Sequence, residues 1–316
     1  MKMLFMGTPD FAIPSLRELI DAGEEIVGVV TQPDKPRGRG YELLPPPVKA
    51  FALSRGLSVY QPETLRGEEF MELLEKLQPE LIAVTAYGKI LPESVLNFPK
   101  HGCINVHGSL LPEYRGAAPM QRAIIDGKSE TGVTIMYMAK GLDTGDMLLV
   151  EKCAIEEDDN FEDIHDRLSE MGAKALVKTV DNIKAGRAER VKQDDSRATY
   201  AQKIEKSDCA IDFSRSAKEV HDLIRGLSPI PLSFTRTPDG KLLKILEARV
   251  FDYEKTLGTI GEVISVGDDI CVACGKGAIS LLRVLPEGKG RMSAADFVRG
   301  RKIKKGDILL SVDNNK

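Results

Sequence analysis

The chain has 316 residues, of which 42% are apolar and 29% charged, with a formal net charge of −4. That length exceeds one usual compact core, so two domains are expected. The composition is that of a globular protein in water, and no apolar run reaches the length needed to cross a bilayer. Five scattered cysteines make an odd count, which argues against a disulfide framework and fits a reducing cytoplasm.

In chain order, Met3-Leu4-Phe5-Met6 reads as a short buried strand that ends at Gly7. The apolar stretch from Met1 to Phe11 lacks the longer core and small-residue cleavage site of a signal peptide. Asp10 is placed to cap a helix running to Leu19. Ile26 to Val30, Leu81 to Ala86, Cys103 to Val106 and Val133 to Met138 are further apolar runs of strand length. Gly67 to Leu77 and Ala118 to Ile125 carry helical spacing between them. Such alternation implies an α/β unit with a mainly parallel sheet covered on both faces. Ligands of such sheets sit outside the carboxyl ends of the strands, so the loops there are where chemistry is expected.

Phe161 to Ala185 has the pattern of a long amphipathic helix. The polar run Gln193-Asp194-Asp195-Ser196-Arg197 then reads as part of a linker over 191–206. From 207 the pattern changes. Ser216 to Leu227 forms one helix, and Leu242 to Val250, Thr259 to Val266, Ile270 to Cys274 and Ala278 to Val284 are short strands with glycine turns between them. Short strands of this kind predict a small barrel or sandwich over 207–316, after an α/β domain over 1–190.

Charge divides along the same line. Residues 206–316 hold 19 basic and 15 acidic side chains, whereas 1–205 hold 25 and 33. The second part is net +4 and the first net −8. The densest basic run is Arg299-Gly300-Arg301-Lys302-Ile303-Lys304-Lys305. This asymmetry suggests a phosphate-bearing partner, set against the commoner reading of a solvated surface.

Two segments carry candidate chemistry. In Cys103-Ile104-Asn105-Val106-His107-Gly108, a strand that points Ile104 and Val106 one way puts Asn105 and His107 together on the other face. A carboxamide and an imidazole then project from a strand's carboxyl end; the plainer reading is a polar strand end with a capped turn. In Gly141-Leu142-Asp143-Thr144-Gly145-Asp146, glycines flank an aspartate able to swing over a site, against a simple Asx-type turn. Other signals are weaker. Gly127-Lys128-Ser129 lacks the first glycine of a phosphate loop, where Arg122 stands, and Gly38-Arg39-Gly40 lacks the third glycine of a dinucleotide fingerprint. Cys271-Val272-Ala273-Cys274 is a single C-x-x-C pair, better read as buried cysteines in a strand than as a zinc or redox site. His165 and His221 fall in amphipathic helices and read as surface or packing residues, and His101 as a solvated loop residue.

The run Asn105-Val106-His107-Gly108-Ser109-Leu110-Leu111-Pro112, followed by Tyr114-Arg115-Gly116-Ala117-Ala118-Pro119, resembles the signature of the folate-dependent formyltransferases. Gly132-Val133-Thr134-Ile135-Met136 and Gly141 to Asp146 match it too. Gly7-Thr8-Pro9-Asp10-Phe11, Thr31-Gln32-Pro33-Asp34 and Arg37-Gly38-Arg39-Gly40 leading to Pro47-Val48-Lys49 resemble the branch of that family whose acceptor is methionyl-initiator tRNA. The likeness runs in order over nearly the whole chain, more loosely over 206–316.

The resemblance implies a Rossmann-like sheet domain followed by an OB-like β-barrel, acting in the cytoplasm and as a monomer. It implies Asn105, His107 and Asp143 as the catalytic set, and contacts from Ser109, Leu110, Leu111 and Pro112 to the donor, 10-formyltetrahydrofolate. It makes 34–49 an inserted loop that reaches the tRNA through Lys35, Arg37 and Arg39. No metal is called for. Glu113 and the Tyr41-Glu42 pair stand where relatives often carry basic residues, which removes positive charge near the tRNA path. Two other readings compete. One is a formyltransferase or formyl-tetrahydrofolate hydrolase with another acceptor, such as a small amine, an amino sugar or water. The other is a non-catalytic RNA-binding protein, which leaves the convergence of Asn105, His107 and Asp143 without a purpose.

Overall fold

The computed structural model describes residues 1–37, 42–300 and 302–310. These fall into two compact units. The first comprises Met1–Gly116, Thr131–Ala154 and His165–Ala201, and the second Ala117–Glu130, Ile155–Ile164 and the chain from Gln202 onward.

The first unit is built on a seven-stranded sheet. Its spatial order is Met147–Ala154, Glu130–Tyr137, Cys103–His107, Leu81–Thr85, Lys2–Gly7, Glu25–Val30 and Val59–Tyr60. The five strands from Cys103–His107 to Val59–Tyr60 are parallel. Their apolar runs follow from burial on both faces: every residue of Leu81–Thr85 is buried, as is all of Lys2–Gly7 after its first residue. The α/β class with a mainly parallel sheet is therefore what the sequence predicts. Glu130–Tyr137 is the exception. It runs antiparallel to Cys103–His107, with Thr134 opposite His107 and Tyr137 opposite Ile104.

Local expectations hold within a residue or two for most elements; the strand expected from Thr259 begins only at Val263 and the one expected from Val133 begins at Glu130, and two further points differ. Asp10 does not cap a helix: it begins a 3-10 turn over Asp10–Ala12, and its carboxylate accepts from the adjacent Phe11 N–H. The α-helix starts afterwards, at Ile13–Asp21, with Pro14 in its first turn, where a missing N–H costs nothing. The strand expected to reach Ala86 stops at Thr85, because Ala86 turns into the left-handed region at φ +47.

The long helix, Phe161–Lys184, lies against the strand that carries His107. Gly172 allows this approach: a Cβ there would sit 2.7 Å from Val106 Cγ1. The Ser169 hydroxyl, buried on the same helix, donates to the Phe11 carbonyl at 2.8 Å.

The second unit holds an antiparallel sheet ordered Ser233–Arg236, Leu242–Asp252, Ala278–Pro286, Ile270–Ala273 and Val263–Val266, with Met292–Ser293 also paired to Ala278–Pro286. Bridges from Leu310 to Arg236 and from Ile308 to Glu262 stitch the two edges, which closes the sheet into a barrel and leaves little open edge. Helix Ala217–Gly226 opens with a capping box between Ser216 and Glu219 and buries Val220 and Ile224 against Leu243, Ile245, Ile279 and Leu281. On the same helix the buried Arg225 donates to Asp222 and to the carbonyls of Glu156 and Asp159, which ties the 155–164 segment to this unit.

Gly172→Ala is expected to destabilise the fold by about 1–3 kcal/mol through overpacking against Val106. Val106→Ala in the same chain should recover part of that loss. Chemical denaturation of the single and double variants checks both expectations; additive losses would remove the contact.

Candidate active site

Strand Cys103–His107 alternates as its pattern requires: Ile104 and Val106 are buried in the core, while Asn105 and His107 take the other face. Asn105 is half-buried, and its carboxamide makes no hydrogen bond among the described residues. His107 is buried, with Nε2 2.9 Å from the carbonyl oxygen of Tyr114. A carbonyl only accepts, so the short contact places the hydrogen on Nε2. In the neutral ring, Nδ1 is then the nitrogen with a free lone pair.

Nδ1 faces Asp143, whose Oδ2 is 3.7 Å away. The separation lies beyond hydrogen-bonding distance and within ion-pair range. The same Oδ2 accepts from the Gly116 N–H at 2.8 Å. Asp143 adopts φ +52, a left-handed conformation that a non-glycine residue holds only when its surroundings impose it. Gly116 is required where it stands: its φ is +120, and a Cβ would meet the Ala201 carbonyl oxygen at 2.7 Å. The structure thus brings two of the three expected catalytic side chains face to face, and sets the third two residues along the same strand face.

The Ser109-Leu110-Leu111-Pro112 segment is largely used internally. The Ser109 hydroxyl donates to the Glu113 carbonyl at 2.6 Å, and its own carbonyl accepts from Thr134 Oγ1 at 2.7 Å. The Leu111 N–H donates to the same Thr134 oxygen. Ser109, Leu111 and Pro112 are buried, and Leu110 is half-buried. Two apolar side chains that the sequence reading did not single out stand in solvent close by in the topology. Ile90, 81% exposed, follows the strand neighbouring Cys103–His107 and parallel to it; Leu142, 56% exposed, adjoins Asp143. An apolar side chain in a loop beside polar strand ends was the available signal.

Residues 1–180 match the formyl transferase family, and residues 203–302 the formyl transferase C-terminal domain. The chain is 49% identical over 310 residues to a methionyl-tRNA formyltransferase of Geotalea daltonii, covering 98% of both chains. It is 47% identical to one of Caldanaerobacter subterraneus, over 98% of this chain and 100% of the relative. This chain belongs to the methionyl-tRNA formyltransferase family. Among solved structures, a sugar 3N-formyl transferase, WlaRD, superposes with a TM-score of 0.66 at 18% identity, over 92% of this chain and 99% of that one. An N-formyltransferase from Helicobacter canadensis gives 0.66 at 19%, over 89% and 98%. At these identities the likeness is one of fold.

The segment that resembles the family's inserted loop begins with a hairpin in which Lys35–Arg37 pairs with Glu42–Leu44. Lys35 is exposed, and Arg39 lies outside the described residues. Both ends of the loop are clamped together. Lys49 Nζ donates to both Asp34 oxygens, at 2.8 and 2.7 Å, and to Gln61 Oε1 at 2.6 Å, while Gln61 Nε2 donates to Asp34. Bonds from Lys49 and then Gln61 hold the Asp34 carboxyl below its usual value.

In the second unit, Lys302, Lys304 and Lys305 are exposed around a buried Ile303. A surface cavity of about 390 Å³ there mixes Lys241, Lys289 and Lys302 with Asp239, Glu287 and Asp296, so its charges offset one another. All five cysteines are free and buried, and burial pushes the Cys274 thiol up to about 12. No cluster of metal-ligating side chains occurs among the described residues. No helix among them is long and apolar enough to cross a membrane. His221 is buried in its helix, with burial lowering its pKa, and His165 packs on Phe11 at a ring distance of 5.3 Å.

Lys49→Met should release the loop ends and raise the rate of limited tryptic cleavage within 35–39. The clamp itself lowers the Asp34 pKa, so its stabilisation is complete above the ordinary aspartate range and lost as pH falls through the lowered value. Wild-type cleavage should therefore approach the variant's rate only in acid, measured with an acid-active protease on both proteins. Equal rates at neutral pH would remove the clamp.

Proposed function

We propose that this protein moves the formyl group of 10-formyltetrahydrofolate onto the α-amino group of methionyl-initiator tRNA, acting as a monomer in the cytoplasm. The observation that carries the chemistry is the approach of His107 Nδ1 and the Asp143 carboxylate, at 3.7 Å, beside Asn105. The acceptor is carried over from relatives similar along the full chain.

An amine attacks only when neutral, and an α-amino group titrates at about 7.7–8.0, so roughly a tenth or more of it is already ready at neutral pH. The harder task is the charge that develops on the formyl oxygen. Asn105 supplies N–H donors for that oxyanion, and the loss of one such donor typically costs about 3 kcal/mol in the barrier. With Nε2–H committed to Tyr114, His107 has Nδ1 left to take the amine's proton or, once protonated, to face the oxyanion. Asp143 stabilises the imidazolium as it forms. The new C–N bond forms first and gives a tetrahedral oxyanion; its collapse restores the carbonyl and breaks the bond to the carrier nitrogen, on which the amine's proton ends.

Ser109, Leu110, Leu111 and Pro112 shape the donor side, with Leu110, Ile90 and Leu142 offering apolar cover for a flat ring. Lys35, Arg37 and Arg39 meet phosphates at the acceptor end, and the basic second unit holds the tRNA body. Binding energy from that remote body is then used to place the amine.

Supplying 10-formyltetrahydrofolate with charged initiator tRNA should yield formylmethionyl-tRNA. Formate release or formylation of a small amine in its place would move the protein to the other acceptor class. Asn105→Ala should lower kcat by about 100–1,000-fold with tRNA affinity nearly intact, read from single-turnover rates and filter binding. Unchanged turnover would take Asn105 out of the mechanism. Affinity for tRNA should fall steeply with added salt, and a flat dependence would reject the basic surfaces as the docking face.

A further inference from the structure

We infer that Gln193 is a positioning residue for formyl transfer, acting through a strap, residues 193–201, that holds Asp143 and His107 in register. The inference rests on the catalytic reading of that pair and adds a residue to it.

Gln193 lies in the polar run that reads from sequence as linker, yet it is 5% exposed. Its carboxamide has two N–H donors and an oxygen with two lone pairs, and all are used. Nε2 donates to the carbonyls of Asp143 and Gly145, both at 2.8 Å. Oε1 accepts from Arg115 Nε at 3.0 Å and from Nη2 at 2.8 Å. Arg115 is 2% exposed, and its Nη2 also reaches Asp195 Oδ1 at 2.7 Å. One side chain therefore grips the backbone of the Asp143 loop and ties it to Arg115.

The neighbours of Arg115 are the groups that set the reaction centre. Tyr114, before it, gives the carbonyl that takes the His107 Nε2–H; Gly116, after it, gives the N–H that takes the Asp143 carboxylate. The strap fixes this tripeptide as well. The Tyr114 N–H donates to Thr199 Oγ1 and the Arg115 N–H to the Thr199 carbonyl, each at 2.9 Å, and Tyr200–Ala201 pairs in parallel with Arg115–Gly116. The circuit closes from His107 through Tyr114, Arg115, Gln193 and Asp143 back to His107. Asp143 at φ +52 and Tyr114 at φ +60 are both left-handed, and such backbone persists where surrounding bonds over-determine it.

Glutamine suits the position because it donates and accepts at one reach. In Gln193→Glu the carboxylate still pairs with Arg115 but turns lone pairs toward two carbonyls, so the Asp143 loop is released while the buried guanidinium keeps its partner. Thermal midpoint should fall, since two carbonyls lose their donors, with the protein still folded at the assay temperature. kcat should fall by about tenfold or more, since small misplacements of reacting groups have large kinetic effects. KM for donor and tRNA should stay within about twofold, so the loss falls on kcat and not on binding. Thr199→Val, at an exposed position, releases the Tyr114 N–H alone and should give a smaller loss in kcat with KM unchanged; it decides the matter if the glutamate variant does not fold. Asp143→Asn is measured alongside. If Asp143→Asn lowers kcat while both strap variants keep the wild-type kcat, the strap is only structural and the inference is overturned. If Asp143→Asn also keeps the wild-type rate, the catalytic reading falls, and the inference with it.

Discussion

One hydrogen bond orders the rest of the centre: the His107 Nε2–H donated to the Tyr114 carbonyl. It selects the tautomer of a buried imidazole and thereby decides which nitrogen is left for chemistry. Nδ1 is that nitrogen, and it looks toward Asp143. Were the hydrogen on Nδ1 instead, a lone pair would meet the Tyr114 carbonyl at 2.9 Å, while the N–H would face Asp143 at 3.7 Å, beyond hydrogen-bonding distance. A peptide oxygen seven residues further along the chain thus determines the chemical use of the ring.

That oxygen is in place because of a segment with no chemistry of its own. Tyr114-Arg115-Gly116 threads between the sheet's loops and the strap from Gln193 to Ala201. A buried guanidinium is costly unless its hydrogens are met, and here Gln193 and Asp195 accept those on Nε and Nη2, three of the five. Satisfying Arg115 and shaping the site are thus one arrangement. The close seat of Phe161–Lys184 on the His107 strand, allowed by Gly172, stiffens the other side.

What could be read in advance follows from the range of the interactions. The parity of a strand is local, so Asn105 and His107 on one face were legible from the alternation with Ile104 and Val106. The meeting of Asp143 with His107 was reached through family resemblance alone. Nothing in an apolar run states its direction, and Glu130–Tyr137 proved antiparallel, so a rule about carboxyl ends of parallel strands does not place the loop that follows it. Gln193 was hidden for a similar reason: in Gln-Asp-Asp-Ser-Arg a carboxamide looks solvated until its partners, far off in sequence, are seen. Met147–Ala154 was missed because its charged positions, Glu151 and Lys152, interrupt the apolar signal, and Ser233–Arg236 because three of its four residues are polar. Asp10 misled because its carboxylate bonds the next N–H rather than one deeper in a helix.

The central claim is that His107 carries its hydrogen on Nε2 and presents a bare Nδ1 to the Asp143 carboxylate. Nitrogen-15 NMR of the histidine-labelled protein tests this directly, with His107 assigned by its absence in a His107→Gln variant and the ring held neutral by pH. The account predicts a protonated, pyrrole-type shift at Nε2 and a pyridine-type shift at Nδ1, with the pattern lost when Tyr114 is displaced. A ring protonated at Nδ1 in the native protein would contradict it.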